Sequence, residues 1–390
     1  VEAHLLEWLN LALRWAHVIV GIAWIGASLY FIWLDNHLEP SRDPRIAGEL
    51  WAIHGGGFYR AEKFKLAPAQ MPATLHWFKW EAYWTWFTGM ALLALIYYAQ
   101  AELYLIDPQV RPLSTPWAVG IGVAFIVGGY AIYEGVCRSP LAKNDLLLSL
   151  TILILLGAAA WGLTRVFSGR GAFLHYGALL GTIMVANVAH IIIPGQRRMV
   201  EAMKTGRDPD PRDGLMGKQR SVHNTYFTLP VVFTMISTHY AGVFGHRLGW
   251  LALVALTIAG ALVRVWFVMR HKGRAPVWVW MVGVLSFVGA ALLLSPSRDG
   301  TGERVSFSEI QTVIGNRCLA CHAEKPSFQG LAEAPKGVKL DTPERLRAQA
   351  LQIHRQTVVS RAMPPGNLTG MTDEERSLLD RWYLSGANTK

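Results

Sequence analysis

Apolar residues in this chain come in eight long runs separated by polar segments. The runs lie near 8–34, 80–100, 116–136, 145–165, 172–194, 222–243, 247–270 and 276–295. Each is close to the roughly 20 residues that carry a helix across a hydrocarbon core about 30 Å thick. Helix is the required form, because lipid cannot satisfy the backbone of an open strand. The predicted class is all-α, an eight-transmembrane-helix bundle. At Ser295 the pattern changes: "SPSRDGTGERVS" is a polar linker of turn-forming residues, and a small soluble helical domain follows. The expected organisation is a membrane domain over 1–296, a linker over 297–304 and a tail domain over 305–390. In the tail, Ser308 with Gln311 and Thr372 with Glu375 have capping-box spacing. Thr342 precedes Pro343 as an N-cap precedes a first-turn proline. The polar segment from 35 to 79 is too long for a turn. Its "HGGGFYRAEKF" suggests tight backbone or close ligand approach at the glycines.

Composition strengthens the membrane reading. Of 390 residues, 52% are hydrophobic and only 16% charged, where soluble domains carry about a quarter charged residues. A formal charge of +10 would suit nucleic acid, but these charges sit in short loops between apolar runs, so no nucleic-acid partner is expected. The loops after the first, third, fifth and seventh runs hold six, two, seven and three Lys or Arg; those after the second, fourth and sixth hold one, two and one. Cytoplasmic loops carry the basic excess. The N-terminus is therefore expected outside, and eight crossings return the C-terminus there. Val1 to Asn10 holds two Glu and no Lys or Arg, so no cleavable signal peptide is expected. Three cysteines cannot make a disulfide framework, and Cys137 reads as a small buried residue.

The other two cysteines carry the clearest chemistry. Cys318-Leu-Ala-Cys321-His322 is C-x-x-C-H, the spacing in which two thiols attach to haem vinyl groups and the next imidazole reaches the iron. A zinc site lacks its second ligand pair here, and a thioredoxin-like pair wants a βαβ setting. Met363, in the Pro-rich "RAMPPGNLTGM" before an amphipathic helix, matches the distal ligand of a class I cytochrome c, with Met371 and His354 as weaker rivals. A His/Met pair raises the haem potential. Covalent haem attachment belongs to the outer face of a bacterial membrane, in agreement with the charge argument.

Ionisable residues within membrane runs are costly and point to function. His17 shares a helical face with Gly21 and Ser28, leaving room for a flat ring or another helix. Asn187 and His190, three apart, are expected on one face. The sixth run places His223 and Asn224 at its inner end and His239 at its outer end; Arg264 lies in the seventh and Trp80-Glu81 opens the second. The bland alternatives are interhelical hydrogen bonds for the histidines, above all His175, His246 and His271, and snorkelling for Arg264. The aromatic cluster over 77–87 reads as an interfacial belt.

Over nearly its full length the chain resembles the bacterial membrane-bound, cytochrome c-linked urate oxidase family. The likeness rests on "RWAHVIVGIAWIGASLYFIWLDNHLE", "HGGGFYRAEKF", "HWFKWEAYWTWFTG", "VANVAHIIIPGQRRMV" and "SVHNTYFTLPVVFTMIS", with the fused C-x-x-C-H tail. It implies oxidation of urate to 5-hydroxyisourate in a bacterial inner membrane. Electrons would pass through the periplasmic tail to a soluble cytochrome c or terminal oxidase, without O₂ as direct oxidant. The first helix also looks like haem b-binding membrane proteins such as the membrane protoporphyrinogen oxidases. Urate is a planar anion, so its site needs a cation, amide-type groups and a ring. Arg264, Asn187, Asn224 and Glu81 supply those types, and their predicted depth places the pocket in the inner half. An inner site is too far from an outer haem c for one electron hop. It therefore predicts haem b on some of His17, His239, His190 and His223. A non-catalytic haem- or quinone-binding module serving a separate dehydrogenase is the alternative. A transporter-like bundle carrying a redox sensor is a third reading, though no pair of broken helices marks one.

Overall fold

The computed structural model describes residues 2–65, 68, 70–271, 273–274, 276–295 and 305–389; the expected linker over 297–304 lies outside them. The chain is mostly helical. Helix α1 spans Glu2–Asn36. A polar excursion then forms two strands, β1 (Ile46–His54) and β2 (Gly57–Phe64), and α2 (Trp80–Leu92) runs on into a π-helical turn at Leu93–Tyr98. The short α3 (Ala101–Tyr104) leads to α4 (Thr115–Arg138) and α5 (Asp145–Thr164). Helix α6 (Gly169–Ala186) passes through a second π-helical turn, Asn187–Ile192, into α7 (Ile193–Lys204). Then come α8 (Pro211–Ser237), α9 (Ala241–Phe244), α10 (Gly249–His271) and α11 (Val277–Leu293).

Every one of the eight apolar runs falls on helix, but the helices differ in reach. Among the described residues five are long and apolar enough to cross a membrane: His4–Asn36, Thr115–Arg138, Asp145–Thr164, the continuous Gly169–Lys204 rod and Gly249–Arg270. Helix α11 is a shorter apolar helix of 17 residues. Helix α8 opens with the polar "PRDGLMGKQR", and α2 owes its length to the π-helical turn.

The all-α expectation needs a correction at residues 46–64. Strands β1 and β2 pair antiparallel, with His54 opposite Gly57, so Gly55 and Gly56 form a two-residue turn. Their φ values of +58° and +81° lie in the left-handed region that such a turn requires at both positions. A Cβ added at either would meet nothing within 4 Å, so it is the turn's backbone conformation, and not packing, that calls for glycine here.

The chain divides into two compact units. The first comprises Val1–Leu92, Leu180–Val232 and Thr257–Ser286. In it Ala82 packs with Val185, Val188 and Ile193, flanked by Trp24, Tyr83 and Trp86. Trp86 Nε1 donates to Thr182 Oγ1 at 3.0 Å. Helices α8 and α10 approach closely at Gly260, where a Cβ would stand 3.1 Å from both Leu229 Cβ and Pro230 Cδ.

The second unit comprises Leu93–Leu179, Phe233–Leu256 and Phe287–Lys390. Ser168 starts α6: its N–H donates to Leu105 O and its hydroxyl to Tyr104 O, while accepting from Gly171 N. The tail contributes α12 (Phe307–Arg317), α13 (Leu319–His322), α14 (Pro343–Ala348), α15 (Ala350–His354) and α16 (Asp373–Leu384). Its core joins Ile310 and Ile314 of α12 to Leu379 and Trp382 of α16 over Leu346 and Met371. The expected caps at Thr342 and at Thr372 with Glu375 are present. The first capping box is Ser306 with Glu309, two residues ahead of the expected Ser308 and Gln311. The tail meets the second unit's loops through short contacts. Asn367 Nδ2 donates to Asp107 Oδ1 at 3.2 Å, and Gln109 Nε2 donates to Gly370 O at 3.1 Å. Gly366, at φ +56°, lies so close to the Leu103 carbonyl that a Cβ would overlap it.

Candidate functional site

The C-x-x-C-H motif occupies one helical turn. Cys318 closes α12, and its carbonyl accepts from Cys321 N at 3.1 Å and from His322 N at 2.9 Å. Both cysteines are free and half-buried. Burial pushes the Cys318 thiol up to about 12 and raises that of Cys321. No cluster of three or more His, Cys, Asp or Glu among the described residues is arranged to hold a metal ion. His322 has the geometry of an iron ligand. Its Nδ1 lies 2.8 Å from Val338 O, which can only accept, so Nδ1 carries the proton and Nε2 offers a lone pair. Cys318, Leu319, Val338 and Val358 are partly buried apolar side chains along the edge of the tail core. Two thiols, a tautomer-fixed imidazole and an apolar margin fit covalent haem c.

The three candidate distal ligands differ in their surroundings. Met371 is 2% exposed and packs in the tail core. His354 is committed elsewhere, with Nε2 2.7 Å from Asp380 Oδ1 and its ring stacked on Tyr383 at 4.3 Å. Met363 is half-buried, and its backbone is held on both sides. Its N–H donates to Gln356 O at 3.0 Å, and its carbonyl accepts from Arg376 Nη1 at 2.9 Å.

Among the bundle residues, Asn187 and Asn224 meet: Asn187 Nδ2 donates to Asn224 Oδ1 at 2.9 Å, and Asn224 Nδ2 to Met184 O at 2.9 Å. The expectation that Asn187 and His190 share a face is corrected. Both lie in the π-helical turn, whose wider winding separates them, and Asn187 is fully buried whereas His190 is exposed. Glu81 Oε1 stands 4.0 Å from His76 Nε2, and Glu81 Oε2 and Arg264 Nε are buried without hydrogen-bond partners among the described residues. His17 Nδ1 lies 2.9 Å from Thr88 Oγ1, its ring rests against Gly89, and the space beside Gly21 is open. His223 is buried, and His239 is exposed beyond the end of α8. His175 is the satisfied structural histidine expected, with Nδ1 2.9 Å from Gly171 O, Nε2 3.1 Å from Tyr98 OH and Phe167 stacked on the ring. Cys137 is buried. The His271 side chain lies outside the described residues.

Sequence reasoning missed a cavity of about 1030 Å³ in the second unit. It is lined by Arg165, Arg170, Arg247, Arg361, His239 and His246, with Tyr104 and Trp250 as rings. The tail forms one wall with Ala362 and Pro365, which bracket Met363. Arg170 Nε donates to Tyr97 OH at 3.0 Å, and its guanidinium lies 4.8 Å from the Tyr104 ring centre. Leu248 N donates to His246 Nδ1 at 3.1 Å, which puts the ring proton on Nε2. Burial lowers the His246 pKa, and Arg361 and Arg247 nearby lower it further. Arg361 pairs with Asp373 and is itself lowered by burial. Burial raises the Asp107 carboxyl against the opposing pull of the Gln109 N–H and Asn367. One sequence signal could have found this cluster. The loops after the second, fourth and sixth runs are poor in basic residues, and of their Arg111, Arg165, Arg170 and Arg247 the last three line the cavity.

No curated protein and no solved structure matches the chain. A family model does match, described as urate oxidase N-terminal, over residues 3–295. That span holds both strands and every helix from α1 to α11 apart from the first residue of α1, and it stops short of the C-x-x-C-H tail. By this match over most of its length, the chain belongs to the urate oxidase N-terminal family.

Proposed function

We propose that this protein is a bacterial inner-membrane enzyme that oxidises urate to 5-hydroxyisourate and sends the electrons through its own tail, as haem c, to a respiratory acceptor. The carrying observation is a urate oxidase family match over 3–295 in the same chain as Cys318, Cys321 and a tautomer-fixed His322. Cys318 and Cys321 would hold the haem covalently, and His322 and Met363 are the residues that would bind its iron. When bound, the group supplies one-electron acceptance at a potential raised by thioether ligation. The chain's own part is to hold that loop in place, through Arg376 on the Met363 carbonyl, and to bind an anionic purine. In this reading eight helices of 1–296 cross the bilayer and the N-terminus and the 305–390 domain are periplasmic; five helices long and apolar enough to span, among the described residues, and the basic excess in alternate loops support it.

For a substrate in the inner half of the bundle, Arg264, Asn187, Asn224 and Glu81 are the proposed groups. The buried, unpartnered Arg264 Nε and Glu81 Oε2 support that set. Such a site needs a carrier between it and the tail, and haem b on His17, His239, His190 or His223 is proposed for that case. A substrate bound on the outer side needs none.

The test is anaerobic addition of urate to the purified, oxidised full-length protein while the haem c absorption is followed. Reduction by urate alone is the expected result. Reduction only after a separate dehydrogenase is added would instead make the chain an electron-transfer module.

A further inference from the structure

We infer that the arginine-lined cavity beside the Met363 loop binds urate, so that oxidation takes place on the tail's side of the bundle. The inference rests on the urate reading above and gives that reaction a place.

The charge balance selects an anion. Of the cavity's three acids, Asp373 is held by Arg361, Asp107 accepts from Asn367 and the Gln109 N–H, and Glu374 accepts from its own N–H and the Thr372 hydroxyl. Among the described residues no carboxylate pairs with Arg165, Arg170 or Arg247. Outer loops of a membrane protein are poor in Arg and Lys. That three of the four basic residues in the sparse loops converge on one cavity therefore calls for a local reason, and an anionic ligand supplies it. The cavity also offers the polar and ring surfaces that a flat heterocycle needs. His246 carries a fixed Nε2–H donor, and Trp250 adds an aromatic ring to the lining. Its 1030 Å³ lies at the upper end of small-molecule sites, which run from about 300 to 1,000 Å³.

Position then favours direct electron transfer. Ala362 and Pro365 are cavity wall, so a ring bound there sits against the loop that carries the distal ligand. No carrier within the bundle is needed. The urate monoanion takes up one water, forming the C5–O bond, and loses two electrons and two protons to give the 5-hydroxyisourate monoanion. A haem c held by Cys318, Cys321, His322 and Met363 would accept the electrons one at a time and pass them to the respiratory acceptor. The protons go to the water outside.

The experiment is equilibrium dialysis of radiolabelled urate against the detergent-solubilised full chain, kept reduced with dithionite so that bound urate is not consumed. Arg170→Gln combined with Arg247→Gln should weaken binding at least tenfold while the haem c spectrum stays that of the wild type. Wild-type affinity in that double variant overturns the assignment. Loss of affinity in Arg264→Gln, with the double variant unaffected, overturns it in favour of the inner half. If urate reduces the oxidised wild type but the double variant binds normally, the site fails and the reaction stands. If urate does not reduce the wild type at all, the reaction reading fails and takes the site with it.

Discussion

Arg376 shows how one side chain with no motif around it can hold the tail's Met363 loop. It is 7% exposed, and burial, reinforced by nearby Arg361, lowers its pKa to about 10. Its guanidinium donates to Thr357 O, to Met363 O and to Asn367 Oδ1. A planar fork suits three acceptors spread in this way, and an ammonium does not. Arg376→Lys should therefore loosen the Met363 loop while keeping the charge. The expected readouts are loss of the sulfur–iron absorption band in the oxidised protein and a lower midpoint potential, since thioether ligation raises it. Each carbonyl left without a donor also costs about 1–3 kcal/mol of stability. Asp107 gives a pH-dependent counterpart. Its folded pKa is raised, so its native contribution is complete below the unfolded value and is lost as pH rises through the folded one. Asp107→Asn keeps an oxygen that can accept from Asn367 and removes the buried charge. Thermal melts should show the variant gaining on the wild type as pH rises from acid to neutral, and matching it below the carboxylate range. The C-x-x-C-H motif and Met363 stand out in the sequence as candidates, because haem c chemistry would need that spacing and setting. Arg376 and Asp107 do not, because their partners lie far away along the chain.

Helices were easy to locate and their ends less so. Apolar runs near 20 residues long mark lipid-compatible helices directly. The capping boxes show why ends are harder. The helix that Ser308 was expected to cap begins at Phe307, because Phe307 packs on the tail core and Glu309 gives the Ser306 N–H a carboxylate acceptor at 3.1 Å. At Thr372 no such competition exists, and sequence and structure agree. Thr372 Oγ1 accepts from Glu375 N at 3.2 Å, and Glu375 Oε2 accepts from Thr372 N at 2.8 Å. Thr372→Ala should destabilise the tail by about 1 kcal/mol, seen as a lower denaturant midpoint for its unfolding. The hairpin over 46–64 escaped notice because the surrounding pattern is helical and β1 and β2 carry little burial to set a period. The π-helical turn at Asn187–Ile192 is a subtler case. A spacing of three implies a shared face only on an α-helix, and here the wider turn buries Asn187 and exposes His190. π-Helical turns often mark functional positions, and this one puts Asn187 on Asn224.

At the scale of the whole molecule, the placement of charge and the place of oxidation become one question. The basic excess falls in the loops after the odd-numbered runs, and three of the four arginines in the other loops line the cavity beside the tail. If urate is oxidised in the inner half of the bundle, electrons must cross much of a core about 30 Å thick, and the protein must hold haem b. If urate is oxidised in the arginine-lined cavity, haem c alone suffices, and the bundle histidines are structural groups like His175. The second arrangement makes a stoichiometric prediction. A pyridine haemochrome of the purified protein should give haem c at one per chain, with no haem b band. A further expectation separates the two through salt. Urate held by surface-connected arginines should bind more weakly as ionic strength rises, because the Debye length shrinks from about 10 Å at 0.1 M to about 3 Å at 1 M. A buried Arg264 site is shielded from that screening. Haem c alone together with salt-sensitive urate affinity is the expected pair of results. A haem b band with salt-independent affinity would move the chemistry back into the inner half of the bundle.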